Sequence, residues 1–380
     1  MGLIGAGFVG PHHVDAVRRL GFVDVVALAA SNESRARAAA ERLGVPRSYG
    51  HFEALLDDPA VEVVHVATPN DLHYEVASGA IARGKHVISE KPLATTAAEA
   101  AALLDSARRA GIVHAVMFNY RGNPLVQEAR LAVARGDIGA PHFLHGQYLQ
   151  DWLLRDDDYS WRLDPRQAGA SSALGDIGSH WCDLAEHVSG LRMVQVLGNV
   201  ATVVRRRKKP VVSRGAFESP SDAEPFEWVE IEVEDLAAVL LRFDNGACGS
   251  LSVGQVCAGH KNDLTLELCG TSGSIAWRQE RQNELWMGCR DRANATLMKD
   301  PSLMSPGSRP YAHLPGGHQE GWADALANVI RDIYDRIASD SGVSAERPQV
   351  YATFADGYRA MRIVEAILTS ARSGGIWTTI

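Results

Sequence analysis

The stretch Leu3-Ile4-Gly5-Ala6-Gly7-Phe8-Val9-Gly10-Pro11 decides the fold of this 380-residue chain. An apolar pair ends a strand, three glycines follow at G-x-G-x-x-G spacing, and helical patterning begins at Pro11. The first glycine permits a tight turn, the second lets backbone approach a pyrophosphate, and the third lets the new helix approach the strand. Backbone N–H groups at the helix start then face negative charge. Proline suits a first helical turn, where its missing N–H has no intrahelical partner to lose. Alone the pattern is weak, because a ligand-free glycine turn satisfies it too. Its context makes it a dinucleotide fingerprint.

That context is strand-helix alternation. Apolar runs at Val25-Val26-Ala27-Leu28-Ala29, 61–66, His86-Val87-Ile88 and 113–116 alternate with helical spacing over 33–43, 72–83 and 97–110. Such alternation specifies a parallel sheet covered on both faces. The expected fold class is α/β: a doubly wound dinucleotide-binding domain over residues 1–121, then a substrate-binding α/β domain over 122–380. The first strand begins almost at Met1, so a few further residues are expected ahead of it. In the second part, helices are expected over 124–136, about 176–188, 321–338 and 352–373. Between Phe226 and Trp277, β-rich runs and the turn Asp244-Asn245-Gly246 specify a large open, mostly antiparallel sheet. One face of that sheet should cover helices and the other a partner subunit, as in a homodimer or homotetramer. Arg205-Arg206-Arg207-Lys208-Lys209, with the Ser/Pro/Glu stretch to Pro225, reads as a mobile insertion, since charge runs are usually solvated loop.

Composition narrows the partners. With 46% hydrophobic and 22% charged residues the chain is globular, and a net charge of -8 offers no surface for nucleic acid or an anionic membrane. Cys182, Cys248, Cys257, Cys269 and Cys289 show no C-x-x-C spacing, which argues against a disulfide framework or zinc site and for a reducing compartment. No signal-peptide pattern opens the chain, and no apolar run reaches the ~18–20 residues of a membrane helix. A soluble, cytoplasmic protein without a metal or membrane partner is expected.

Three further segments carry chemistry. The second strand ends Ala30-Ser31-Asn32, with Glu33 and Arg35 beyond; the acid that usually binds the ribose 2′-OH of NAD is absent. Ser31 and Arg35 suit a 2′-phosphate and Asn32 suits a free ribose, so NAD and NADP both remain open. Ser89-Glu90-Lys91-Pro92 follows another strand, at the sheet end where doubly wound folds hold ligands. Only six of the 38 cations are lysines (Lys85, Lys91, Lys208, Lys209, Lys261, Lys299), so an ammonium there is informative beside a surface ion pair. It would donate to a substrate oxygen and stabilise developing alkoxide charge. In Gly175-Asp176-Ile177-Gly178-Ser179-His180, a helix places Asp176 and His180 on one face, beside an apolar stripe of Ile177, Trp181, Leu184 and Val188. Histidine suits acid–base work when a carboxylate fixes its tautomer; the bland alternative is an exposed Asp–His pair.

Together Gly5 to Gly10, Glu90-Lys91-Pro92 and Gly175-Asp176-x-Gly178-x-His180 resemble the Gfo/Idh/MocA oxidoreductase family. Thr68-Pro69-Asn70 with His73, and Asn119-Tyr120-Arg121, resemble its cofactor-cleft segments. The resemblance implies Lys91, Asp176 and His180 as the catalytic set. It also implies dinucleotide contacts from Gly5, Gly7, Phe8, Val9, Gly10, Ser31, Asn32, Arg35, Thr68, Pro69, Asn70, His73, Glu90, Lys91, Asn119 and Arg121. Gln150, Trp152, Trp161 and Arg162 are similar to the substrate-side loop of sugar-oxidising members of the levoglucosan dehydrogenase type, and His318 joins them as a further candidate. Indole faces stack on sugar C–H surfaces while amide, carboxylate and guanidinium groups bond hydroxyls, although core tryptophans would read alike. The expected activity is NAD(P)-dependent oxidation of a neutral sugar, glycoside or cyclic polyol. A glycosidase or epimerase with tightly held NAD would turn over without net NADH. A dinucleotide-sensing binding protein would need no catalytic set.

Overall fold

The computed structural model describes residues 1–211, 225–340 and 350–380. They form two compact units. The first comprises Met1–Gly122, Arg166–Gly169 and Ala323–Met361, and the second Asn123–Pro165, Ala170–Trp322 and Arg362–Ile380.

The first unit holds a six-stranded parallel sheet of β1 (Gly2–Ile4), β2 (Ala27–Ala29), β3 (Arg47–Tyr49), β4 (Val63–Val66), β5 (His86–Ser89) and β6 (His114–Val116), in the order β3-β2-β1-β4-β5-β6. Strand order reverses between β1 and β4, and the crevice at their carboxyl ends is where such sheets take ligands. Helices α1 (Gly10–Arg18), α2 (Glu33–Leu43), α3 (Phe52–Leu56), α4 (His73–Ala82) and α5 (Ala97–Ala110) make the crossovers. Two start at built caps: Asn32 Oδ1 accepts the Arg35 N–H on α2, and Thr96 and Glu99 form a reciprocal capping box on α5. The edge strand β3 and the one-turn α3 are absent from the sequence reading, because neither carries an apolar run long enough to show a period. Val25 and Val26 lie ahead of the second strand rather than in it.

The second unit opens with α6 (Pro124–Arg135) and β7 (Pro141–Leu149); the single turn α7 (Pro165–Ala168) follows, its last three residues belonging to the first unit, and the second resumes before α8 (Ser179–Ser189). Strands β8 (Met193–Ala201), β9 (Arg206–Pro210), β10 (Phe226–Glu230), β11 (Leu236–Phe243), β12 (Cys248–Gly254), β13 (Asp263–Gly270), β14 (Ser274–Arg278), β15 (Glu284–Gly288) and β16 (Ala295–Met298) follow. The chain closes with α9 (Trp322–Asp340), α10 (Phe354–Arg372) and β17 (Thr378–Thr379). A nine-stranded sheet runs β16-β15-β14-β13-β7-β12-β11-β8-β17, antiparallel except between β7 and β12. Its strands alternate as a one-sided sheet should: Val239, Leu241 and Phe243 are buried, whereas Leu240 and Arg242 between them are exposed. The expected loop at 205–209 is corrected, since Arg206–Pro210 pairs with Phe226–Glu230 as a hairpin. The cause is Arg207. Its wholly buried guanidinium donates to the carbonyls of Arg155 (2.6 Å) and Asp158 (2.9 Å), a packed role that a charge run conceals. The remainder of that insertion, 212–224, lies outside the described residues.

Candidate active site

Five of the candidate segments meet the carboxyl ends of the first sheet, following β1, β2, β4, β5 and β6. Gly5 holds φ +98°, and a Cβ there would sit 2.3 Å from the Ala67 carbonyl oxygen beyond β4. A Cβ on Gly10 would meet the Gly5 oxygen at 2.5 Å, so helix and strand approach only because both residues are glycine. Gly7 is different: its missing Cβ points into open space, as a residue facing a ligand should. Phe8 is largely exposed and Val9 is the N-cap of α1, whose first turn carries Pro11, no acid and no side-chain cap. That helix end keeps its N–H groups and its positive dipole for an anion.

Two buried polar atoms here have no hydrogen-bond partner among the described residues, Thr68 Oγ1 after β4 and Asn119 Nδ2 after β6. Buried polar groups are normally satisfied, so both fit a dinucleotide that supplies the missing bonds. Beyond β2, Arg35 Nη1 donates to Ser31 Oγ at 3.2 Å, and all three of Ser31, Asn32 and Arg35 are exposed. Asn32 spends its oxygen on the α2 cap, leaving its amide N–H groups for a ribose. These residues fit NAD or NADP.

Other candidates brace the walls. His73 is buried with Nδ1 2.7 Å from the Pro92 carbonyl and Nε2 3.0 Å from the Thr68 carbonyl, tying the turn after β5 to the turn after β4. Burial pushes its pKa below the usual histidine range, opposed by those two carbonyls. Asn70 donates to the Ala168 carbonyl. Pro69 precedes the short helical turn Asn70–Leu72. Arg121 is buried and bridges to Asp356 at 3.1 Å. Burial alone would raise the Asp356 carboxyl, but Arg121 and the Thr353 N–H and hydroxyl hold it below its ordinary value. Glu90 accepts the Lys91 backbone N–H at 3.3 Å, and the Lys91–Pro92 bond is cis.

In the second unit Asp176 and His180 lie in succession, Asp176 in a widened π turn (Leu174–Gly178) and His180 in the first turn of α8. Sequence spacing does not reveal that π turn, which alters the simple helical register. Ile177, Trp181, Leu184 and Val188 are all buried as expected, and so is His180. Glu234 anchors the turn: its Oε1 accepts from Ser171 Oγ (2.6 Å), Ser172 N (3.1 Å) and Leu174 N (2.9 Å). Asp176 accepts from Gln255 Nε2 at 2.9 Å and pairs with Arg162 Nε at 3.3 Å.

The guanidinium of Arg162 stacks on Trp161 with 4.6 Å to the ring centroid and reaches Trp152 at 5.9 Å. Its Nη1 is buried without a hydrogen-bond partner among the described residues, a donor available to a hydroxyl. Trp152 Nε1 donates to Gln150, whose amide donates to Asn262. Asn262 also accepts from Tyr148, whose ring lies 6.3 Å from that of His180. Trp152 flanks a small apolar cluster of Leu153, Leu163, Ile231 and Val233, so it serves partly as core. Asp176, His180, Gln150, Trp152, Trp161 and Arg162 thus form one connected neighbourhood. His318 does not join it by any described contact and sits exposed on a turn. Gln255, Asn262 and Glu234 escape sequence reading, because lone polar residues at strand ends carry no spacing signal.

A doubly wound sheet with a glycine cradle at its switch point, and unpaired polar groups lining it, defines a dinucleotide-binding protein. Residues 1–118 match the model of an oxidoreductase family with an NAD-binding Rossmann fold, and residues 126–276 match the GFO/IDH/MocA C-terminal domain. The chain is 34% identical to levoglucosan dehydrogenase of Pseudarthrobacter phenanthrenivorans over 98% of this chain and 95% of that protein. It is 26% identical to myo-inositol 2-dehydrogenase of Thermotoga maritima over 72% of this chain and 74% of that enzyme. A solved structure of levoglucosan dehydrogenase in complex with NADH and levoglucosan superposes with a TM-score of 0.87 at 32% identity, covering 100% of this chain and 98% of that one. The chain belongs to the Gfo/Idh/MocA family and is an NAD(P)-dependent oxidoreductase.

Proposed function

We propose that this enzyme oxidises a secondary hydroxyl of a neutral sugar, glycoside or cyclic polyol, residues 1–121 holding the dinucleotide and 122–380 selecting the substrate. The observation that carries the substrate class is the cluster of Trp152, Trp161, Arg162 and Asp176, which offers aromatic faces and hydroxyl partners. The named activities of relatives, on levoglucosan and myo-inositol, support the same class.

The nicotinamide, when bound, supplies the hydride acceptor. The chain supplies the rest. The helix start at Gly7 to Gly10 takes the pyrophosphate, with Thr68 and Asn119 as polar partners. Lys91 donates to the reacting oxygen and stabilises its negative charge as the O–H bond breaks. His180 accepts that proton, and Asp176 orients the substrate side. Carbinol carbon loses hydride, oxygen loses a proton, and a ketone results. Incubation with levoglucosan, myo-inositol and a panel of neutral sugars, read by NAD(P)H absorbance, tests this reading; binding of cofactor without any reduction across the panel would overturn it.

Self-association as a homodimer or homotetramer, through the open face of the nine-stranded sheet, is part of this proposal, as is a cytoplasmic location. Half-exposed Leu240 on that face supports the first, and five free thiols support the second. Among the described residues no helix is long and apolar enough to cross a membrane.

A further inference from the structure

Four polar residues of the first unit form a continuous chain that the proposed reaction leaves unused. His13 lies on α1 just past the glycine cradle, and its Nε2 is 3.0 Å from Glu90 Oε1. His13 Nδ1 is 2.8 Å from His65 Nδ1 on β4, and His65 Nε2 is 3.0 Å from the Tyr334 hydroxyl on α9. Both imidazoles are wholly buried. Glu90 spends its other oxygen on the backbone N–H of Lys91.

Valence sets the direction of the bond to Glu90, and burial sets that of the other two. A carboxylate only accepts, so His13 Nε2 carries a proton and donates it. Burial first, then the neighbouring His13 and the chain's amino terminus, push His65 well below the usual histidine range, leaving it neutral with one N–H. Burial pushes Tyr334 well above its ordinary value, so its hydroxyl keeps its proton. Among the described residues His65 Nε2 is the acceptor within reach of that hydroxyl. Tyr334 therefore donates to His65 Nε2, His65 Nδ1–H donates to His13 Nδ1, and His13 Nε2–H donates to Glu90. The opposite polarity would strand the tyrosine proton in a dry interior, at the cost of an unsatisfied buried donor.

We propose that Tyr334, His65 and His13 are positioning residues: a one-way donor chain that orients the Glu90 carboxylate, which in turn fixes the backbone of Lys91. The inference rests on Lys91 acting on the substrate oxygen. Its structural half can be read without turnover. In full-length protein labelled with 15N-histidine and free of substrate, long-range proton–nitrogen spectra should show His13 protonated at Nε2 and bare at Nδ1, and His65 the reverse. Tyr334→Phe should shift only the bare His65 Nε2 resonance strongly. A His13 protonated at Nδ1, or at both nitrogens, overturns the chain.

For the functional half, His13→Leu should lower kcat about tenfold or more with KM for sugar and cofactor little changed, since one aligned charge-assisted bond is lost. His13→Gln, whose amide N–H stands in for Nε2–H, should restore kcat to within about threefold. If His13→Leu does not fold, Tyr334→Phe serves instead, with a smaller loss of kcat and unchanged KM. Wild-type kcat in the variant that folds overturns the positioning role. Unchanged turnover in Lys91→Ala would instead remove the catalytic assignment while leaving the tautomers as described, so the two failures are distinguishable.

Discussion

Glycines at two points of one short loop serve different ends, and the difference is measurable. Gly10 has backbone oxygen 2.5 Å from where a methyl would go, whereas Gly7 has nothing within 4 Å. Gly10→Ala should therefore cost about 1–3 kcal/mol of stability through overpacking, seen as a lowered Tm. Gly7→Ala should leave Tm unchanged and weaken dinucleotide binding, read by quenching of NADH fluorescence. The lysines sort similarly once their surroundings are known. Lys85 is buried against the carbonyls of Asp58 and Val61, and Lys299 pairs with Glu320 at 2.7 Å in the interior. Scarcity of lysine thus marks structural ammonium groups as well as the one beside Glu90, and sequence alone could not separate them.

Elements were legible where local chemistry set their ends. Helices α2 and α5 carry an N-cap and a capping box and end at left-handed Gly44 and Gly111, so spacing located both. Strand β3 spans three residues, and β9 hides beneath a run of cations whose middle member is packed inside. Partnerships far apart in sequence were invisible too. Val116 donates its N–H to the Ala352 carbonyl, and His114 Nδ1 accepts the Phe354 N–H that opens α10. This last joint titrates. Burial, with a smaller push from Arg108, lowers His114 to about 4. Between about pH 6.5 and that value the unfolded chain binds a proton that the folded chain refuses, so stability falls as pH drops through this window. The slope approaches about 1.4 kcal/mol per pH unit, and His65 adds to it in the same direction. His114→Asn keeps an acceptor for Phe354 but cannot titrate; its Tm should fall less than that of the wild type between about pH 7 and pH 5. Equal losses would show that His114 does not carry the effect.

At the scale of the molecule, the proposed function assigns the dinucleotide to one unit and the substrate to the other. The cradle, Thr68 and Asn119 belong to the first; Arg162, Asp176 and His180 belong to the second. The family and its class of chemistry were legible in sequence motifs, because glycine spacing and the Glu-Lys-Pro and Asp–His steps are local. The supporting Gln255, Asn262 and Glu234 come from distant strands and needed the fold. Division predicts separable phenotypes. Arg162→Ala should raise sugar KM about tenfold or more while leaving NAD(P)H affinity within about twofold, since a hydroxyl donor is lost but no dinucleotide contact. Gly7→Ala should do the reverse, and variants that alter both constants together would argue against the division. The most direct measurement is NAD(P)H formation on a sugar that the wild type oxidises, by wild type, Lys91→Ala and His180→Ala, each first shown to bind NADH. Losses of about 10²-fold or more in kcat with NADH affinity retained are expected for both variants; wild-type turnover by either would contradict the account.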